Sequence, residues 1–254
     1  FKIKYSKGVA KTLTQWIQEE TDEVLVIANG AYFNAANISL SLLIDNYTLL
    51  STSSYSANEP YYNTTNTYYP TRASFGIYSN LSAEITWTYS INNNDSMVYH
   101  YPQPADNCLG CEPLPVPNAT FPSGGSLWRP YKAIGSGPAL IKNGVINITW
   151  QQEVIGPGAS MQRNPRTAIC QTKDGRFILL VVDGRNDQSW GLYLIELAQI
   201  MQSLGCHNAL NLDGGGSTSM FVNGYLTNRP SDATGLRPVA SVVMITRKGQ
   251  QVQI

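Results

Sequence analysis

Charge is what this chain has least of. Lysine and arginine together number 17, aspartate and glutamate also 17, and charged residues make up only 13% of 254. That balance leaves no basic field able to hold a phosphate backbone, so no nucleic-acid partner is expected. Long apolar runs are missing as well. None approaches the ~20 residues needed by a membrane-crossing helix, so no membrane-spanning segment is expected. Histidine occurs twice, as His100 and His207, and the two are not at metal-ligand spacing. A zinc site around Cys108-Leu-Gly-Cys111 would therefore lack two ligands. With only four cysteines the chain cannot be a disulfide-built scaffold and must rest on a hydrophobic core. A local Cys108–Cys111 bridge fits the Pro-rich loop that carries the pair, given an oxidising compartment, while Cys170 and Cys206 form a second, distant pair.

Tyrosine, asparagine, serine and threonine are abundant, whereas lysine and glutamate are scarce. This composition suits a protein working outside the cytoplasm (secreted, periplasmic or on the cell surface) after removal of a leader. Asn-x-Ser/Thr triplets at Asn63, Asn80, Asn118 and Asn147 are what such a composition produces by chance. The length fits one domain spanning residues 1–254. From about Asp45 to Pro130 the chain is rich in Tyr, Asn and Thr and reads as an elaboration on the core. Its tyrosines could line a carbohydrate groove, the ring covering a sugar face and the hydroxyl bonding its edge, or simply pack a surface layer.

Hydrophobic periodicity predicts helices over Val9–Glu20 and Gly191–Leu204, the second stopped by Gly205. It predicts buried strands over Glu23–Ala28, Phe177–Val182, Asn208–Leu212 and Ala240–Thr246. Asn143-Gly144, Asp174-Gly175 and Asn223-Gly224 each lie between alternating runs and mark hairpins. Strand, helix and strand over Phe177–Leu212 suggest a crossover between parallel neighbours. The expected fold class is α+β: a central mixed sheet built from hairpins and one crossover helix, with helices packed on it.

Turn arithmetic locates the polar residues. A two-residue turn at Asp174-Gly175 places Arg166 opposite Asp183, and the same reasoning at Asn223-Gly224 places Ser217, Thr218 and Ser219 opposite Pro230, Arg229 and Asn228. Asn164, Arg166, Thr167, Asp183, Arg185 and Asp187 thus collect at one hairpin mouth. Asp183 and Asp213 each follow a buried strand, where sites are often built. After Asp213 come Gly214, Gly215 and Gly216, which let the backbone turn tightly and approach a ligand, and then Ser217, Thr218 and Ser219.

A nucleotide loop would need Gly-Lys-Ser/Thr opening a helix, and a serine-hydrolase elbow a Gly two residues after the nucleophile; neither is present. Glycosyl transfer needs carboxylates, for which Asp183, Asp187, Glu196 and Asp213 are candidates. Arginine grips phosphate oxygens in pairs, and Arg166, Arg185 and Arg229 are available. No cofactor is required by this chemistry, although calcium or magnesium could be held by Asp183, Asp187 and Asp213 through oxygen.

Seven segments, in order, resemble the phosphodiester glycosidase family: Ala28-Asn-Gly-Ala-Tyr-Phe33, Gly137-Pro-Ala-Leu-Ile-Lys-Asn-Gly144, Asn164-Pro-Arg-Thr-Ala-Ile169, Val182-Asp-Gly-Arg185, Glu196-Leu-Ala198, Asn208 through Thr218, and Asn228-Arg-Pro-Ser-Asp232 with Arg237-Pro-Val-Ala240. The resemblance implies release of an N-acetylglucosamine joined through its anomeric carbon to a phosphodiester. It implies catalytic roles among Asp213, Asp183 and Glu196. Substrate contacts are expected from Asn29, Asn164, Arg166, Thr167, Arg185, the three glycines, Ser217, Thr218, Asn228 and Arg229. Two departures stand out: Cys170 where the family usually has glycine, and Ala233-Thr234 in place of a glycine-rich turn. The partner expected is a glycan or sugar phosphate. The alternative is a cell-surface protein that binds carbohydrate without turning it over.

Overall fold

A computed structural model describes residues 1–58, 66–91 and 97–249; Asn63 lies outside them. One five-stranded sheet has the order β1 (Lys2–Tyr5), β19 (Ser241–Arg247), β2 (Glu23–Asn29), β17 (Met220–Val222) and β18 (Tyr225–Leu226). A second has the order β13 (Val145–Ile146), β12 (Ala139–Lys142), β16 (Cys206–Asn211), β14 (Arg166–Thr172) and β15 (Phe177–Val182). A seven-stranded sheet runs β10 (Ser126–Leu127), β9 (Val98–Tyr101), β8 (Ala83–Ser90), β7 (Arg72–Ile77), β11 (Lys132–Gly135), β3 (Leu43–Asp45) and β4 (Thr48–Ser51). A short pair joins β5 (Ala57–Asn58) to β6 (Thr67–Tyr68). The helices are α1 (Leu13–Gln18), α2 (Pro157–Ser160) and α3 (Leu194–Ser203).

This corrects the α+β expectation. Strand makes up 39% of the described residues against 10% helix, and the sheets are antiparallel, so the fold is β-rich rather than a central mixed sheet carrying helices. The expected crossover shows why. Both β15 and β16 run antiparallel to β14, so they are parallel to each other, but β14 lies between them. The Tyr-rich stretch adds to the strand content, because it supplies most of the seven-stranded sheet. Its Phe75, Ile85 and Trp87 are buried in one cluster with Ile3, Ile169, Leu210 and Val243 from both five-stranded sheets. Each such aliphatic or phenyl side chain contributes about 1.5–3 kcal/mol on burial. Tyr68, Tyr89 and Tyr101 are buried as well, which leaves these three rings unable to line an open groove.

Both long helices are shorter than their periodicity suggested, because their caps fix the first turn. Thr12 accepts from the Gln15 backbone, and the Gln15 side chain accepts from the Thr12 N–H, so α1 begins at Leu13. In α3 the Glu196 carboxylate accepts from the Tyr193 N–H at 3.0 Å, and Gly205 with φ 85° ends the last turn. Leu194, Leu197, Ala198 and Met201 pack on Leu140, Ala168, Cys170 and Ala209. Cys170 and Cys206 are joined by a disulfide with Cα atoms 5.8 Å apart, tying β14 to β16, and Cys108 is bonded to Cys111.

The turns at Asn143-Gly144 and Asn223-Gly224 are two-residue hairpins with both residues at positive φ; the second pairs Val222 with Tyr225 and Phe221 with Leu226, and its strands end before Ser217–Ser219. The Asp174-Gly175 turn is not a two-residue one. Thr172 pairs with Arg176 across a three-residue loop that carries Gly175 at φ 89°, so Arg166 faces Val182 instead of Asp183. One extra loop residue shifts the pairing by one, which alternates every side chain on β15 to the other face relative to expectation.

Candidate active site

The Asp213 loop leaves β16 where the two five-stranded sheets meet. Leu212 N–H donates to Thr167 O at 2.8 Å on β14, and Asp213 N–H donates to Gly30 O at 3.1 Å beyond the end of β2. Asn29, fully buried, holds the loop from beneath: its amide donates to Asp213 O at 2.6 Å, and its carbonyl oxygen accepts from the Thr167 hydroxyl at 2.8 Å and Ser219 N–H at 3.2 Å. The Thr218 hydroxyl lies 3.4 Å from that of Thr167, which can accept from it. A buried polar lattice of this kind is satisfied only when all members are in place, so it fixes the loop rigidly.

Above the lattice lies a cavity of about 240 Å3 lined by Tyr32, Gly158, Ala159, Asn164, Arg166, Arg185, Asn211, Asp213, Gly214, Gly215, Gly216 and Arg237. Asp213 is its one carboxylate. Its carboxyl accepts from Gly214 N–H at 2.9 Å, and its pKa is pushed up to about 6, chiefly by loss of water around the charge. The Ser217 hydroxyl, the Gly214 N–H and the charge of Arg237 oppose that rise. The Ser217 Oγ is buried and has no hydrogen bond of good geometry, yet it lies near enough to favour the ionised carboxylate. Opposite, the Tyr32 hydroxyl donates to Gly137 O at 2.8 Å and accepts from Asn211 at 3.2 Å. Burial first and the charge of Asp213 second raise its pKa.

The three glycines are required by packing as well as by the cavity. A Cβ on Gly214 would sit 2.7 Å from Pro165 O, and one on Gly216 would collide with the Asp232 carboxylate and the Arg237 guanidinium. Gly215 adopts φ 59° beneath the Arg185 guanidinium. The loop is a single 3-10 turn over Gly215–Ser217, so no helix N-terminus faces the cavity.

The arginines divide differently from the expectation. Arg166 lines the cavity, but its guanidinium donates to three backbone carbonyls, Leu192 at 3.0 Å, Ala159 at 2.7 Å and Gln162 at 2.8 Å. Its work is to brace the Gly158–Asn164 wall. Arg229 is outside the cavity, paired with Asp187 at 3.0 Å on the exposed surface. Arg185 lines the cavity and donates once, to Asn164 Oδ1 at 2.7 Å, leaving the rest of its fork open. Arg237, which was not among the expected site residues, lines the cavity while forming a two-point ion pair with Asp232 at 2.7 and 2.9 Å.

Asp183 and Glu196 do not line the cavity. The Asp183 carboxylate accepts from the Asn228 amide at 3.1 Å and Arg229 N–H at 2.9 Å, and Asn228 in turn bonds Thr218 O and Met220 N–H. It therefore secures the strand that follows the glycine loop. Glu196 caps α3 and pairs with Arg163. Among the described residues no three His, Cys, Asp or Glu side chains gather as metal ligands, so Asp183, Asp187 and Asp213 do not converge.

The model of the phosphodiester glycosidase family (NAGPA) matches residues 22–246. The chain belongs to this family. Within it, the bovine N-acetylglucosamine-1-phosphodiester alpha-N-acetylglucosaminidase is 37% identical over 114 residues, which is 41% of this chain and 21% of the relative. The mouse protein of the same name is 43% identical over 114 residues, 41% of this chain and 22% of the relative. The match thus covers about a fifth of these curated relatives' length. The zebrafish catalytic domain of that name, solved auto-inhibited by its pro-peptide, superposes with a TM-score of 0.65 at 21% identity over 95% of this chain and 69% of that one. A Burkholderia pseudomallei protein described as exported superposes at 0.59 with 16% identity, over 97% and 71% of the two chains. At these identities the solved structures speak for the fold.

Tyr32, Asn211 and Arg237 of this family member were not named as site residues in the sequence, although each stands inside a segment that resembles the family. Glu153 had no signal at all. It is fully buried and accepts from Ala73 N–H at 2.9 Å, Ala139 N–H at 3.0 Å, and the Trp87 indole at 3.4 Å, joining β7 of the seven-stranded sheet to β12. Burial raises its pKa against the pull of Thr149, those N–H groups and Arg72. Nothing in its flanking sequence, Gln151-Gln-Glu-Val154, marks that task.

Proposed function

We propose that the chain hydrolyses a glycosyl phosphodiester, freeing an N-acetylglucosamine-like sugar and a phosphomonoester. The observation that carries this is Asp213: one desolvated carboxylate in a cavity with room for a single sugar residue, backed by a rigid glycine loop. Arg185, with most of its fork open, and Asn211, whose Oδ1 has no partner, line the same cavity and offer hydrogen bonds to the sugar edge. Ionised Asp213 takes a proton from a water that bonds to the anomeric carbon. The bond between that carbon and the ester oxygen breaks, and its electron pair leaves with the phosphate. A phosphate ester is a good leaving group, so this step does not need the strong general acid that other glycosidases supply from a second carboxylate. Family membership supports the reaction class, and the names of the bovine and mouse relatives support the sugar.

The two disulfides suit an oxidising compartment, and with the exported structural neighbour they support a location outside the cytoplasm. The described residues contain no helix long and apolar enough to cross a membrane. Incubation with an N-acetylglucosamine phosphodiester should release free sugar, and Asp213→Ala should lower the rate by about a thousandfold or more, the usual scale for loss of a central catalytic group. Undiminished release by Asp213→Ala overturns the assignment. Glycan binding with no product from the wild-type chain would favour the carbohydrate-binding alternative.

A further inference from the structure

Behind Tyr32 and Ala159, which form a shared wall with the Asp213 cavity, lies a second pocket of about 410 Å3. Arg72 and Ser136 line it. Among the described residues the guanidinium of Arg72, at the start of β7, has no hydrogen-bond or ion-pair partner, although every other arginine near the site is committed at least once. The carboxylate whose charge it feels, Glu153, is itself occupied by the N–H groups of Ala73 and Ala139 and by the hydroxyl of Thr149. Arg72 is half-buried, so an uncommitted guanidinium faces the pocket, and a fork of five donors is shaped for phosphate oxygens. Ser136 gives an independent sign. It is 2% exposed, and its Oγ has no hydrogen-bond partner. Leu40, Val154 and Ile155 supply apolar wall to the same pocket.

We propose that this pocket is the leaving-group subsite: Arg72 and Ser136 bind the phosphoryl group of the substrate, and the apolar wall takes the carbon skeleton of the departing alcohol. Tyr32 stands at the junction, so the bond to be broken lies beside it, between the sugar in the Asp213 cavity and the phosphate against Arg72. The assignment as a leaving-group site rests on the reading of Asp213 given above, whereas anion binding by Arg72 does not.

Methyl phosphate, titrated by calorimetry into the wild-type chain, Asp213→Asn, Arg72→Lys and Ser136→Ala, separates the two. Arg72→Lys keeps a positive charge near Glu153 and loses the paired donors, so a folded protein is retained; a thermal melt checks this. The wild type and Asp213→Asn should bind alike, while Arg72→Lys binds about tenfold more weakly, the loss expected when a two-point charged hydrogen bond becomes a point charge. Ser136→Ala should weaken binding as well. Equal affinity in the wild type, Arg72→Lys and Ser136→Ala overturns the subsite, as does a wild type that does not bind the probe. If binding depends on Arg72 but the wild type releases no sugar, the anion pocket stands and the hydrolytic reading falls.

Discussion

At Asp213 two influences meet: the cavity wall strips water from the carboxylate, while Gly214 N–H, Ser217 and Arg237 favour its charge, and the balance leaves its pKa near about 6. Because a raised carboxyl pKa means the folded chain keeps a proton the unfolded chain gives up, stability falls as pH rises from about 4 to about 6 and stays lower above that. The loss is of the order of 1–3 kcal/mol, nearer the low end for a side chain that still borders the cavity's water. Asp213→Asn should therefore melt higher than the wild type at pH 8, with the gap closing towards pH 4; equal melting temperatures at pH 8 would count against a desolvated charge there. Hydrolysis should follow the opposite course, with kcat/KM rising through about pH 6 to a plateau as the ionised form fills. Activity that falls across that interval would point to the protonated carboxyl as the working form.

Among the elements, α3 carries a carboxylate committed to holding the helix itself. Glu196 accepts from the Tyr193 N–H and pairs with Arg163, both outside the cavity. Glu196→Ala should lower stability by about 1 kcal/mol, as loss of a cap does, while kcat/KM stays within about twofold. A fall in turnover of a hundredfold or more at unchanged secondary structure would restore Glu196 to the chemistry. The β14–β15 hairpin shows how a local rule can misplace a site. Asp174-Gly175 has the composition of a two-residue turn, but the adopted loop has three residues, and Arg166 turns to the carbonyls of Ala159, Gln162 and Leu192 in place of Asp183. Composition marked the turn; the number of residues in it depended on how β14 and β15 had to meet β16.

Over the whole molecule, the main core cluster takes side chains from all three large sheets, so unfolding should be one cooperative transition. The Cys170–Cys206 bridge spans a separation of 36 residues inside that fold. Closing a loop of this size in the unfolded chain is worth about 2–4 kcal/mol. The double variant Cys170→Ala with Cys206→Ala should lose about that much in a denaturant titration, whereas opening the Cys108–Cys111 loop should cost far less; equal losses would contradict the loop-closure account. By itself, the sequence determined the family, the hairpins at Asn143-Gly144 and Asn223-Gly224, and the glycine loop after Asp213, because turn chemistry and motif spacing are local. Only the tertiary structure decided that the fold is β-rich, that Asp213 and not Asp183 or Glu196 enters the cavity, and that Tyr32 and Arg237 line it while Arg72 lines the adjoining pocket. Those outcomes depend on which strands meet across the chain and on which charges lose their water when they do, and neither is set by neighbouring residues.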